Sequence, residues 1–190
     1  MSTDDQTKHP SAAPTLVPGA DALHQQLDAF AAAYDYDVDY LRATLEGSRA
    51  VFERFTDAQG LSSVRRALPR DAHFIARVAT MRGEDCGPCT LLNLKMALEA
   101  GVPRELLETA LSRPEALPGA LADVWAHAAA TVEGATFDGE RAQRLRLAYG
   151  DAGFVELAAA ITGARLYPTM KRALGYGERC APVSLASLVV

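Results

Sequence analysis

Residues 69–101 read PRDAHFIARVATMRGEDCGPCTLLNLKMALEAG, and this stretch decides the fold. Phe74, Ile75, Val78 and Met81 recur at the three- and four-residue steps of one helical face, which predicts a helix over about 71–82 behind Pro69. Gly83 breaks it. A second apolar face, Leu91, Leu94 and Leu98, predicts a helix from Cys86 to about Ala100, closed by Gly101. Pro88 falls in its first turn, where a missing N–H costs little, and Asp85 is the expected N-cap.

The same period continues outward. Upstream, Leu23, Leu27, Phe30 and Tyr34 make one stripe, and shorter helices are expected over about 38–45 and 48–58, the latter with Val51, Phe52 and Phe55 inward. Downstream, helical stretches follow at about 103–111, 120–132, 138–149, 151–164 and 166–174, with a Pro-rich link at 113–118. Alanine and leucine dominate and β-branched residues are sparse, which favours helix throughout. A strand is conceivable only at Val183–Val190. The expectation is an all-α bundle: one helical domain over 20–190, behind a polar, disordered tail at 1–19.

Composition narrows the function. Hydrophobic residues make up 49% and charged ones 23%, the profile of a soluble globular chain. The formal net charge of -5 gives no electrostatic support to nucleic-acid binding, and Arg65-Arg66 and the 141–146 cluster read as solvated helix faces. No apolar run approaches the ~20 residues of a membrane span. The first residues lack the cationic start and apolar stretch of a secretory signal, so the expected compartment is the cytoplasm. Structural disulfides are rare there, and a close cysteine pair points to redox or metal chemistry.

That pair is Cys86-Gly87-Pro88-Cys89. A helix N-terminus presents unpaired N–H groups and about half a positive charge, which lowers the pKa of a nearby thiol. Helical residues three apart hold their Cβ atoms ~5–6 Å apart, whereas a disulfide wants ~3.5–4.5 Å. A Cys86–Cys89 bond therefore requires local distortion, which Gly87 can absorb, and it would be labile and exchange-prone. The dipole favours Cys86 as nucleophile, the more N-terminal and the more exposed on this reading. Zinc would need four ligands, and one CxxC motif with a distant Cys180 and scattered histidines does not supply them. Neither metal nor cofactor is implied.

Other groups could assist. His73, on the preceding helix with Arg77 one turn on, is either an ordinary helix-surface histidine or a general acid/base for the thiols. His127, after Trp125, reads as a packed histidine, and His9 and His24 as bystanders. Glu84 could pass a proton to a leaving thiolate, although a carboxylate close to Cys86 would oppose the dipole. Asn93, one turn beyond Cys89, can hydrogen-bond a thiolate or satisfy a local polar gap. Cys180, beside Arg179, reads as an isolated thiol.

The run from Phe74 through Cys86-Gly-Pro-Cys89, continued by Glu99-Ala-Gly-Val-Pro-Arg-Glu-Leu-Leu, resembles the AhpD-like, carboxymuconolactone decarboxylase-like family. So does Tyr149-Gly-Asp-Ala-Gly-Phe-Val-Glu-Leu-Ala-Ala-Ala-Ile-Thr-Gly-Ala-Arg-Leu-Tyr-Pro, and the matched parts span about 68–175. The resemblance implies an AhpD-like helical bundle, usually homo-oligomeric. Its thiol-active branch works as an antioxidant peroxidase through a redox-active disulfide and is re-reduced by a dithiol partner such as a lipoylated adaptor protein. The other branch decarboxylates lactones and lacks the cysteine pair. By resemblance Cys89 attacks the peroxide through a sulfenic acid and Cys86 resolves it. Thiol-active members typically carry a Glu about three turns before the first Cys and a His four residues after the second. Here those regions hold Ala72, His73 and Phe74, and Asn93, so the family's proton relay does not carry across intact. The leading expectation is a thiol-disulfide oxidoreductase that reduces alkyl hydroperoxides or peroxide. The alternatives are a non-catalytic redox sensor or interaction protein, and a decarboxylase-like enzyme.

Overall fold

The computed structural model describes residues 19–177. The expectations for the tail, for His9, for Cys180 and for a strand at Val183–Val190 fall outside them. Within the described residues, eight α-helices run in order: α1 (Ala20–Tyr34), α2 (Asp39–Gly47), α3 (Arg49–Gln59), α4 (Arg70–Gly83), α5 (Gly87–Glu99), α6 (Arg104–Ser112), α7 (Leu121–Glu133) and α8 (Gly139–Ala173). Short 3-10 turns occupy Gly60–Ser63 and Pro114–Ala116, the second inside the expected link. The described residues contain no strand, so the chain is all-α over that span.

Sequence-local chemistry sets the ends. Ser48 caps α3 by accepting from the Val51 N–H, and Asp138 caps α8 by accepting from the Arg141 N–H at 2.9 Å. Asp35 takes the left-handed conformation after α1, and the Tyr36 N–H returns to the Ala31 carbonyl at 3.1 Å, which turns the chain into α2.

Two expectations fail at the ends. Cys86, not Asp85, is the N-cap of α5; Asp85 stands one residue earlier with φ 52° and its side chain exposed. A left-handed residue is needed there because the chain reverses sharply between α4 and α5, and Asp tolerates that conformation. The expected break near Arg165 is absent, and α8 runs through Pro168 to Ala173. The break expected between 149 and 151 is present at Gly150, at φ 70° and ψ 173°, a conformation open to glycine and almost closed to other residues.

The apolar faces form two clusters. The first gathers α4 to α8 around aliphatic side chains such as Ile75, Val78, Leu145 and Leu157, each fully buried. The second lies beneath α1–α3 and collects Tyr36, Tyr40, Phe52 and Phe55 with Met81, Cys86, Cys89 and Leu92. Helix α4 serves both: nine of its fourteen residues are buried, so it is covered all round rather than along one stripe. Its entry is held by Glu156 on α8, whose carboxylate accepts the backbone N–H groups of Arg66, Ala67 and Leu68. Gly163 lets α8 lie directly on the Gly60–Ser63 turn, since a Cβ there would meet the Ser62 backbone N at 2.7 Å.

Candidate active site

The α4–α5 corner delivers both cysteines to the start of a helix. The first bond of α5 runs from the Thr90 N–H to the Cys86 carbonyl at 2.9 Å, so Cys86 and Cys89 bracket its opening turn. The segment is therefore at a helix start, where backbone dipoles favour a thiolate. The sulfurs are not joined by a disulfide. The expectation that Cys86 is the more exposed fails: both residues are buried, at 1% and 2% exposure. The cause is the layer formed by α1 to α3, which covers this end of the bundle.

Cys89 is nonetheless reachable. It lines a cavity of about 260 Å³ that Cys86 does not line. The buried Met81 and Asn93 and the half-buried Arg77 line it together with the exposed Gln26 and Thr56. Leu27, Phe30, Phe52 and Met96 make apolar walls.

Tyr36 is the closest polar neighbour of the nucleophile candidate. Its hydroxyl lies 3.4 Å from Cys89 Sγ, within hydrogen-bond range of a sulfur. Burial first, and then the neighbouring Tyr40 and Cys89, push the Tyr36 hydroxyl far above its usual pKa, so it stays protonated and can donate to a thiolate. Lys171 Nζ sits 4.3 Å from the centre of the Tyr36 ring and 4.9 Å from that of Tyr40, with no hydrogen-bond partner among the described residues. It is a cation held by aromatic faces.

Asn93 occupies the place where the resembled family has its histidine. Its Nδ2 donates to the Cys89 carbonyl at 2.8 Å, while its Oδ1 is buried without a partner among the described residues. The side chain thus braces the cysteine backbone and leaves an acceptor at the cavity.

His73 and Glu84 are placed elsewhere. His73 is not a helix-surface residue: it is buried against Phe74 and does not line the cavity. Burial, followed by the charges of Arg77 and Arg65, lowers its pKa to about 4, so it is neutral near pH 7. The expected surface position fails because α4 is enclosed on every side. Glu84 is gripped from α8, Arg165 Nε donating to its Oε1 at 2.6 Å and Arg172 Nη1 to its Oε2 at 2.5 Å. Arg172 also donates to the Glu84 carbonyl. Burial alone would raise the carboxyl pKa, but the two guanidiniums outweigh it and hold Glu84 below the usual range. It is an anchored anion that ties the α4–α5 corner to α8, and a poor proton donor. His127 is half-buried against Phe154, far from the thiols in the packing.

The structure therefore brings Cys86, Cys89 and Asn93 together and sets His73 and Glu84 apart from the cavity. Tyr36, Arg77 and Lys171 join the site unannounced. Tyr36 lies 53 residues before Cys89 in a Tyr-Asp-Tyr-Asp turn that carries no periodic signal. Among the described residues, no three His, Cys, Asp or Glu side chains converge as a metal ion would need. Nor is any helix among them long and apolar enough to cross a membrane. Comparison with protein-family models, with curated proteins and with solved structures finds no match.

Proposed function

We propose that this chain is an AhpD-like thiol-disulfide oxidoreductase that reduces peroxides through Cys86 and Cys89. The observation that carries the reading is Cys89 on the first turn of α5, lining a cavity that exposed residues also line, with its Sγ 3.4 Å from the Tyr36 hydroxyl.

The chemistry follows from that placement. The Cys89 thiolate attacks the outer oxygen of a hydroperoxide; the S–O bond forms, the O–O bond breaks, and the departing alkoxide takes a proton. Tyr36, held protonated by burial, donates a hydrogen bond to the thiolate beforehand, and the alkoxide takes from solvent the proton that the Cys89 thiol released on forming the thiolate. Cys86 then attacks the sulfenic sulfur, forming the disulfide and releasing water. An external dithiol, of which a lipoylated adaptor is one kind, returns two electrons and two protons by exchange. The cavity favours Cys89 as the attacking thiol and Cys86 as the resolving one, the assignment implied by the resemblance. Exposed Leu147 and Val155, at 81% and 63%, support a homo-oligomer in which such side chains meet a second copy. A cytoplasmic setting would keep the pair reduced between turnovers.

Mild treatment with cumene hydroperoxide should lower the intact mass by about two units as the disulfide forms, and mapping should place the bond between Cys86 and Cys89. Tyr36→Phe should slow the oxidation while leaving its end-point unchanged. Persistence of both thiols after oxidation of a control dithiol would sink the proposal. One observation favours a second reading. Both sulfurs are packed under α1–α3, so their oxidation state could bias that layer in a redox sensor without turnover. Cysteine-to-serine variants separate the two: lost turnover with unchanged assembly supports the enzyme, and altered assembly with no turnover supports the sensor.

A further inference from the structure

The cavity beside Cys89 holds a guanidinium that pairs with no described carboxylate. Arg77 enters it from α4, with its Nη2 3.9 Å from Met96 Sδ and its Cζ 5.7 Å from the centre of the Phe74 ring. Its Nε is buried without a hydrogen-bond partner, and among the described residues no carboxylate lies within ion-pair distance. Tyr36, Tyr40, Tyr167 and Cys89 line the same cavity and His73 lies one turn away on α4; none of these is a carboxylate, and only a Cys89 thiolate would set a negative charge beside the guanidinium. A guanidinium does not shed its proton in a protein, so this charge is permanent. Burying an unpaired charge is costly, and it persists where a ligand completes the pairing.

We propose that this cavity is a binding site for a small amphipathic carboxylate, its anionic head on Arg77 and its hydrocarbon body among Leu27, Phe30, Phe52 and Met96. The volume sets the size. A cavity of ~150 Å³ holds a benzene, so about 260 Å³ suits roughly ten non-hydrogen atoms, the size of a medium-chain acid. The charge sets the head group, because a guanidinium fork matches a carboxylate with two parallel hydrogen bonds. The walls set the body, since aromatic and thioether side chains favour an apolar tail over a second charge. A phosphate would fit less well: Arg77 is the one cation among the described lining residues, and a single charge cannot compensate a dianion. The site goes beyond the redox reading, because binding here consumes no thiol and needs no electron transfer. The two meet only in that an occupant would cover Cys89.

Octanoate and 1-octanol, matched in chain length and different in charge, are the probes. By titration calorimetry, octanoate should bind wild type at least about tenfold more tightly than Arg77→Met, as expected for loss of a charge-assisted pair, with Arg77→Lys between them and 1-octanol indifferent to the substitution. Cys89→Ser, which cannot form the disulfide, should still bind octanoate. A second readout needs no variant: octanoate should slow iodoacetamide alkylation of Cys89 in the wild-type protein, located by peptide mapping, more than 1-octanol does at equal concentration. Equal protection by the two probes, protection by neither, or unchanged octanoate affinity in Arg77→Met overturns the proposal. If octanoate fails while peroxide still forms the disulfide, the carboxylate site is wrong and the redox reading stands. If octanoate binds as expected while peroxide leaves both thiols free, the carboxylate site stands and the redox reading falls.

Discussion

The two apolar clusters of this bundle are built on opposite terms. Around Leu145, Leu157 and Ile75, α4 to α8 enclose mainly aliphatic side chains, with Phe74 and Phe154 among them. Under α1 to α3, the second cluster mixes tyrosines, sulfur and cations, and Arg77 Nε, Asn93 Oδ1 and Lys171 Nζ are buried there without hydrogen-bond partners among the described residues. Native interiors satisfy most of their polar atoms, so a concentration of unsatisfied ones beside a cavity and the cysteine pair is what the proposed chemistry would draw on. The first cluster holds the fold, and the second holds the proposed site. Helix α4 joins the two, for one face carries Ile75 and Val78 into the quiet core while the other carries Arg77 and Met81 to the cavity.

The sharpest way to break that division is to cut one residue from each side. Leu157→Ala removes a fully buried side chain from the aliphatic core and should cost about 2–5 kcal/mol in unfolding free energy, while the molecules still folded oxidise their thiols at the wild-type rate. Cys89→Ser should do the reverse, abolishing disulfide formation at a much smaller cost in stability, because the hydroxyl keeps Tyr36 as a partner. Denaturant melts and a peroxide-dependent mass assay on both variants check this. If Cys89→Ser proves as destabilising as Leu157→Ala, the second cluster is a core like the first and the division fails.

A smaller effect is expected at Lys171, which is 1% exposed and contacts the Tyr36 and Tyr40 rings. Burying a charge without a hydrogen-bonded partner is costly, so replacing Lys171 by an apolar side chain of similar length is expected to leave stability unchanged or raise it. Lys171→Met should follow that rule and at the same time slow Cys89 alkylation near pH 7, because the tyrosine that touches the sulfur loses the cation against its ring. A loss of stability, or an unaltered alkylation rate, would place Lys171 with the scaffold instead of the site.

Much of the scaffold is legible in the chain, and the reasons are local. Helical period, Gly83, Pro88 and Gly101 delimit α4 and α5 without knowledge of any partner. The CxxC pair at the start of α5 is legible for the same reason. What escapes is set by burial, which one helix cannot reveal. The stripe Phe74, Ile75, Val78 and Met81 leaves the other faces of α4 unassigned, and only the tertiary packing encloses His73 and Arg77. Tyr36 escapes because its role depends on contact across 53 residues. The site's polar members are therefore legible only by what surrounds them.

The least disruptive substitution tests that last point directly. His73 is another buried group with an unpartnered nitrogen among the described residues, its Nδ1, and it belongs to neither cavity nor catalysis on this reading. Its pKa falls to about 4 in the folded state, chiefly through burial and then through Arg77 and Arg65. In the unfolded chain it would titrate near its ordinary value of about 6.5. Between those limits the unfolded state binds the proton and the native state does not, so falling pH favours unfolding. The destabilisation begins as pH drops through about 6.5 and levels off below about 4, where both states are protonated. His73→Gln removes this dependence while keeping a polar side chain of similar reach. Its stability relative to wild type should therefore improve steadily from pH 7 down to pH 4, with the thiol oxidation rate at pH 7 unchanged. A flat difference over that range would mean the imidazole is hydrated and charged in the native state. A fall in oxidation rate would restore it to the proton relay from which its burial removes it.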